Sequence, residues 1–126
     1  MSLLDVANED WTLDIKEASG TSATLTPVTA VSTKVKAVGK GVYRGDIVVN
    51  ITNATDGIYT QNPPTAVPAT IAPTAVKIKA DGLEVIRVDD EAPLVAVPGI
   101  DGGGNPGTID VTVYVSDAGQ TKVKAQ

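Results

Sequence analysis

The chain reads as an all-β domain, a sandwich, jelly roll or immunoglobulin-like body of about eight short antiparallel strands. Three observations carry that expectation. β-Branched residues recur with a period of two, turn dipeptides punctuate them at close intervals, and almost nothing reads as helix. The composition agrees, because 126 residues without Phe or Cys, and with one Trp and three Tyr, leave Val, Ile, Leu and Ala to fill the interior. A chain of this length buries one core without staples.

The best-defined stretch covers residues 74–90, TAVKIKADGLEVIRVDD. Asp81-Gly82 tolerates the positive φ angles of a type I′ turn. With those two as the loop, Ala80 faces Leu83, Lys79 faces Glu84, Ile78 faces Val85 and Lys77 faces Ile86. Val76, Ile78, Ala80, Leu83, Val85 and Arg87 then share one mostly apolar face. The pair Lys79 and Glu84 lies on the other, a match of about 0.2–1 kcal/mol.

Residues 1–10 read as an N-terminal arm, one helical turn capped by Ser2 or a frayed end, with Leu3, Leu4 and Val6 as its apolar patch. Residues 11–126 form the single β-sandwich domain. Trp11, Leu13 and Ile15 alternate on a half-buried strand. Residues 18–27 look like a small polar linker, residues 28–38 like another β-branched strand, and Gly39-Lys40-Gly41 breaks it. In residues 46–52, Ile47, Val49 and Ile51 point inward, and Asp56-Gly57 turns the chain back. Residues 61–73 hold four prolines, which excludes a central strand. They read as a crossover or projecting arm whose Val67 and Ile71 need a surface to lie on. Residues 93–98 are an edge-strand candidate and residues 100–107 a flexible loop. In residues 108–116, Ile109, Val111, Val113 and Val115 point inward, and residues 121–125 make a last strand. DIVVNIT and IDVTVYVS look alike as any two amphipathic strands do, and no repeat is read from them.

Chemistry is sparsely represented. The absence of His and Cys removes the commonest general base and thiolate metal ligands. A net charge of −5, with the lysines and arginines scattered along the chain, argues against nucleic acid as a partner. Acid is reached at Asp5 and no apolar run follows, so neither a secretory signal nor a membrane partner is expected. Arg44-Gly45-Asp46 enters a strand instead of crowning a loop. The sequons at Asn50 and Asn53 read as incidental. Asp89, Asp90, Glu91, Asp101, Asn105 and Asp110 supply oxygen ligands of the kind calcium takes, but their spacing fits no EF-hand and a solvated acidic edge is the reading preferred. Gly102-Gly103-Gly104 lacks the ending of a phosphate cradle. Asp14 with Glu17, or Asp89 with Glu91, could form a glycosidase pair, but aromatic sugar platforms are scarce. No catalytic residue, bound metal or cofactor is expected, and the protein is read as no enzyme.

What remains is a small acidic β-domain rich in Ala, Thr, Val and Gly, with an apolar start and a proline-rich excursion. On MSLLDVANEDW, on TAVPATIAPTAV and on the short strands that follow, the chain resembles in general character the small head-decoration, or cement, proteins of tailed bacteriophages. That resemblance implies a β-sandwich or jelly-roll body, a homo-dimer or homo-trimer, bound to the major capsid protein lattice and stabilising it. It places the protein on the exterior of a virion, made in the host cytoplasm. The expected partner-binding residues are Leu3, Leu4, Val6 and Trp11 on the arm, and Val67 and Ile71 on the proline-rich segment. The alternative is an immunoglobulin-like adhesion or accessory module of a phage tail, fibre or bacterial surface protein.

Overall fold

The computed structural model describes residues 3–18 and 20–126 and is all-β, with no helix among them. Its strands fall into three successive units. The first holds β1 (Leu4–Asp5), β2 (Thr12–Ile15), β3 (Ser22–Pro27) and β4 (Lys36–Ala37). The second holds β5 (Lys40–Gly41), β6 (Ile47–Thr55), β7 (Thr60–Gln61), β8 (Val67–Ile71) and β9 (Lys79–Ala80). The third holds β10 (Leu83–Glu84), β11 (Val95–Ile100), β12 (Pro106–Val111), β13 (Val113–Asp117) and β14 (Lys124–Ala125).

Each unit joins the next in the same two ways. Its last short strand pairs antiparallel with the first short strand of its successor: β4 with β5, β9 with β10, and β14 with β1. Its long hairpin also pairs with the next hairpin, β3 with β6, β7 with β11, and β13 with β2. The third pairing in each series returns to the first unit, so the chain closes on itself.

A ring of backbone bonds marks the centre of this arrangement. Ala7 N–H donates to the Ile86 carbonyl at 2.8 Å, Ile86 N–H to Tyr43 at 2.9 Å, and Tyr43 N–H to Ala7 at 3.0 Å. The flanking bridges Val6–Arg87, Asn8–Val42 and Arg44–Val85 follow the same rotation. The molecule is therefore pseudo-threefold, which corrects the expectation that no repeat exists. The look-alike strands noted in the sequence are not the signal; the repeat lies in the short pairs.

Alternation through the ring sorts side chains into two cores. Ala7, Tyr43 and Ile86 point into a large core with Ile47, Val49, Ile51, Ile71, Val97, Ile109, Val111, Val113 and Val115. Their neighbours Val6, Val42 and Val85 point the other way, into a small core with Ala37, Ala75, Ala80 and Ala125. The long hairpins form a body around the first core. The three short pairs form a cap over the second.

Several sequence expectations are met. Ile47, Val49 and Ile51, and the set Ile109 to Val115, are fully buried. Asp81 and Gly82 take φ of 54° and 81°, and β9 pairs β10 in the register read from the turn, Ala80 with Leu83 and Lys79 with Glu84. On the predicted apolar face, however, Val76, Ile78 and Leu83 stay exposed.

Others are corrected. Residues 4–8 are no detached arm, because β1 pairs β14 and Val6, Ala7 and Asn8 are buried; the Ser2 cap lies outside the described residues. Within the linker-like run, β3 is a strand against β6. Of residues 28–38 only Lys36–Ala37 is strand. The edge-strand candidate is the first part of β11, where Val95–Pro98 pair β12 alone; the strand runs on to Gly99 and Ile100, which also pair β7. The residues read as a flexible loop are tied at their centre, where Asp101 accepts from the amides of Gly103 and Asn105.

The proline-rich segment is likewise part of the body, since β8 pairs β6 from Val67–Ile51 to Ile71–Ile47. The ladder registers explain how proline is accommodated. Residues 47, 49 and 51 of β6 bond to 71, 69 and 67, so Pro68 turns its missing donor outward. By the same parity Pro27 on β3 and Pro106 on β12 also face away from their partners. Each of these three open edges thus carries a proline where an N–H would invite another strand.

Candidate functional site

The three units end alike. Lys34-Val35-Lys36-Ala37, Lys77-Ile78-Lys79-Ala80 and Lys122-Val123-Lys124-Ala125 occupy equivalent places in the cap. In each, the alanine is buried in the small core, at 1%, 1% and 0% exposure, and both lysines are exposed. The middle residue sits between these extremes, with Val35, Ile78 and Val123 at 36%, 42% and 38%. Alternation on a two-stranded ribbon accounts for this: alanine faces inward and the lysines face the opposite side. The sequence signal is short but legible, a Lys-aliphatic-Lys-Ala tetrapeptide occurring three times.

Charge follows the same division. Segments 3–8, 33–45, 74–88 and 120–126, with Glu9 bonded to Gly41 and Asp90 bonded to Thr74 and Arg87, carry nine of the ten basic residues against five acids, a net +4. The remainder carries one lysine against ten acids, a net −9, which together give the chain's −5. Lysines that look scattered along the sequence are gathered at one end of the molecule.

Some cap charges are internally engaged. Arg44 Nε donates to Asp81 Oδ2 at 2.9 Å, and its Nη1 donates to the Ala30 carbonyl at 2.5 Å. Arg44 lowers the Asp81 pKa by hydrogen bonding, and the Ser32 hydroxyl adds to that. Lys124 pairs with Asp5, and Lys79 lies opposite Glu84. Arg87 is buried; its Nη1 donates to the Ala125 carbonyl at 3.0 Å and its Nη2 to Thr74 Oγ1 at 2.7 Å. The Thr74 hydroxyl in turn donates to Asp90, which also accepts from the Arg87 amide. Lys34, Lys36, Lys40, Lys77 and Lys122 form no ion pair among the described residues.

The partner-binding residues expected from sequence do not converge. Leu3 is exposed and Leu4 half-buried at the cap, whereas Val6 and Ile71 are buried in different cores. Val67 is half-buried on β8. Trp11 stacks on Tyr43 with centroids 3.8 Å apart and 22° between the rings. Burial, reinforced by Glu9, raises the Tyr43 pKa. Val6 and Ile71 are therefore closed to any partner of the folded chain.

The oxygen ligands considered for calcium are also dispersed. Asp90 serves the Arg87 network, Glu91 pairs with Lys16 at 3.0 Å, and Asp101 with Asn105 closes a hairpin loop. Hydrogen bonds from Asn105, first through its amide N–H, lower the Asp101 pKa. No group of three such residues converges among those described. Glu17, paired with Asp14 in the glycosidase reading, holds Thr112 instead, accepting from its amide and its hydroxyl at 2.7 and 2.9 Å. That contact fixes the break between β12 and β13. Arg44-Gly45-Asp46 is no loop tip, because Gly45 is buried and Arg44 is pinned.

Two depressions mark the surface among the described residues, a wide one of about 510 Å³ beside Pro73, Pro93 and Leu94, and a narrower cleft in the body. Among the described residues only the first unit leaves the two arms of its long hairpin unpaired, and Leu13, Asp14, Ile15, Ala23 and Leu25 line an opening of about 230 Å³ between them. Asp14 Oδ1 accepts from the Ile15 amide there, capping one exposed donor. Set against known protein families, curated proteins and solved structures, the chain matches none of them.

Proposed function

We propose that this chain is a non-enzymatic structural protein that binds the outside of an assembled phage capsid lattice and stabilises it. The observation that supports this reading is the concentration of exposed aliphatic side chains at the cap. Leu3, Val35, Val38, Val76, Ile78, Leu83 and Val123 stand there at 36% to 62% exposure, against only Val28, Ile58 and Leu94 elsewhere. Exposed apolar side chains rimmed by polar ones suit contact with another protein. Leu3 and Leu4 belong to this end and are the expected contact residues that remain available.

The mechanism is mass action. A ligand that binds only the assembled state adds its binding free energy to that state, and many copies do so in parallel. The adhesion-module alternative has less support, because Leu4 and Ala125 are cross-strand partners and the chain enters and leaves its fold at one place. Domains threaded end to end need their connections at opposite ends.

The test is co-sedimentation of the purified chain with expanded tailed-phage shells and with unassembled coat protein. Retention on shells at a fixed ratio to coat protein, with none on free subunits, is the expected result. A chain that ignores shells overturns the proposal.

A further inference from the structure

We propose that the cap docks on an acidic protein surface through its three Lys-aliphatic-Lys strips, each meeting an equivalent part of a threefold-repeated partner. The cap is also the end that the capsid reading assigns to contact, and on that reading the partner is the lattice. Its independent basis is charge. An end of net +4 joined to a body of net −9 is attracted to an acidic surface at one pole and repelled at the other, so approach and orientation are both selected.

The pseudo-threefold ring adds geometry. One copy presents Lys34 with Lys36, Lys77 with Lys79, and Lys122 with Lys124 at three equivalent places around the cap. A single chain thereby offers the multiplicity that a trimer would otherwise provide. A partner built of three identical acidic neighbours can engage all three strips at once, and linked contacts of this kind raise overall affinity well above that of one.

The chemistry favours protein over nucleic acid. Both arginines, the residues suited to bidentate phosphate binding, are withdrawn, Arg44 onto Asp81 and Arg87 into the interior. The cap exposes aliphatic Val35, Ile78 and Val123 on the ribbon face opposite its lysines, and Tyr43, the aromatic residue of segment 33–45, is buried in the body core.

The experiment compares the full chain with a variant carrying Lys34→Glu, Lys77→Glu and Lys122→Glu. None of these lysines has an ion-pair partner among the described residues. A melting curve first checks that the variant is folded. Binding is then measured at two salt concentrations to expanded tailed-phage shells, to immobilised poly-L-glutamate and to duplex DNA. The expected result is binding to shells and to poly-L-glutamate that weakens with salt and falls roughly tenfold or more in the variant. Each single reversal is expected to cost a similar share.

If the native chain binds shells and the folded variant binds them equally well, the docking surface lies elsewhere and the lattice reading survives. If the native chain ignores shells but loses poly-L-glutamate on substitution, the lattice reading falls and the acidic-partner assignment stands. Tighter binding to DNA than to poly-L-glutamate, or binding to neither, overturns the assignment. So does salt-sensitive self-association in light scattering, which would put the acidic body of a second copy on the cap.

Discussion

The body core is filled by Ile47, Ile51, Ile71 and Ile109 with a surround of valines, whereas the cap core consists of Val6, Val42 and Val85 with four alanines. Burying a residue of Ile or Val size contributes about 1.5–3 kcal/mol, and an alanine methyl much less. The body therefore rests mainly on aliphatic burial. The cap relies more on directional contacts: three two-residue pairings, the backbone ring, and the Arg87–Thr74–Asp90 network that ties it to the body. Small side chains allow three strands to approach one axis closely. They also leave an end whose apolar and basic groups are not consumed by its own core.

The sharpest way to break the comparison is to cut into the body. Ile51→Ala removes a fully buried side chain beside β3 and β8, and is expected to cost about 2–5 kcal/mol in urea unfolding. Asp90→Ala attacks the seam instead. It deprives the Thr74 hydroxyl and the Arg87 amide of their acceptor, at an expected cost of about 1–3 kcal/mol. Hydrogen exchange separates the two changes. After Asp90→Ala, the Val6 amide bonded to Val123 should exchange faster than amides of β6.

A gain is expected at the cap's one conformational conflict. Val38 has φ 53° in the turn between β4 and β5, where a β-branched residue is disfavoured, and its side chain is exposed. Val38→Asn gives that turn the Asn-Gly pair suited to type I′, and is expected to stabilise the protein by roughly 1 kcal/mol. An unchanged or lowered melting temperature would mean that the valine packs usefully.

Acid should act on both regions through Asp81 in the cap and Asp56 in the body. Arg44 lowers the pKa of the first, and the amides of Tyr59 and Ile58 lower that of the second. Each folded value lies below the unfolded one, so the stabilisation is complete above about pH 4 and is lost as pH falls through the folded value. Asp81→Asn and Asp56→Asn should each flatten that acid slope, with salt weakening only the Arg44-dependent part. The smallest effect on melting belongs to the combined variant Pro27→Thr, Pro68→Thr and Pro106→Thr. It restores outward donors at three edges, so concentration-dependent association in light scattering is the expected sign.

Much of the body was legible because the period of two is local. Alternation in residues 47–51 and 109–115 specifies an inward face wherever the strand is placed, and Asp81-Gly82 specifies its own register. The prolines excluded a central strand, and β8 pairs β6 alone, but the segment was misread as a crossover or arm because a proline bars an edge pairing only when its missing donor faces the neighbour. That depends on which side β6 occupies. Leu3, Leu4, Val6, Trp11, Val67 and Ile71 were grouped by hydrophobicity alone, which does not distinguish a residue seeking a partner from one seeking its own core.

By itself, then, the sequence determined an all-β chain with an aliphatic interior and at least one tight hairpin, since each follows from composition or near-neighbour pattern. The tertiary structure decided that the last strand meets the first, that three short pairs close a ring, and that nine basic residues from three separated segments share one end. The physical reason is that charge and binding depend on distance in space. The Arg44–Val85 bridge joins the first of those segments to the second, and the bonds of Val76 and Arg87 to Gln126 and Ala125 join the second to the third.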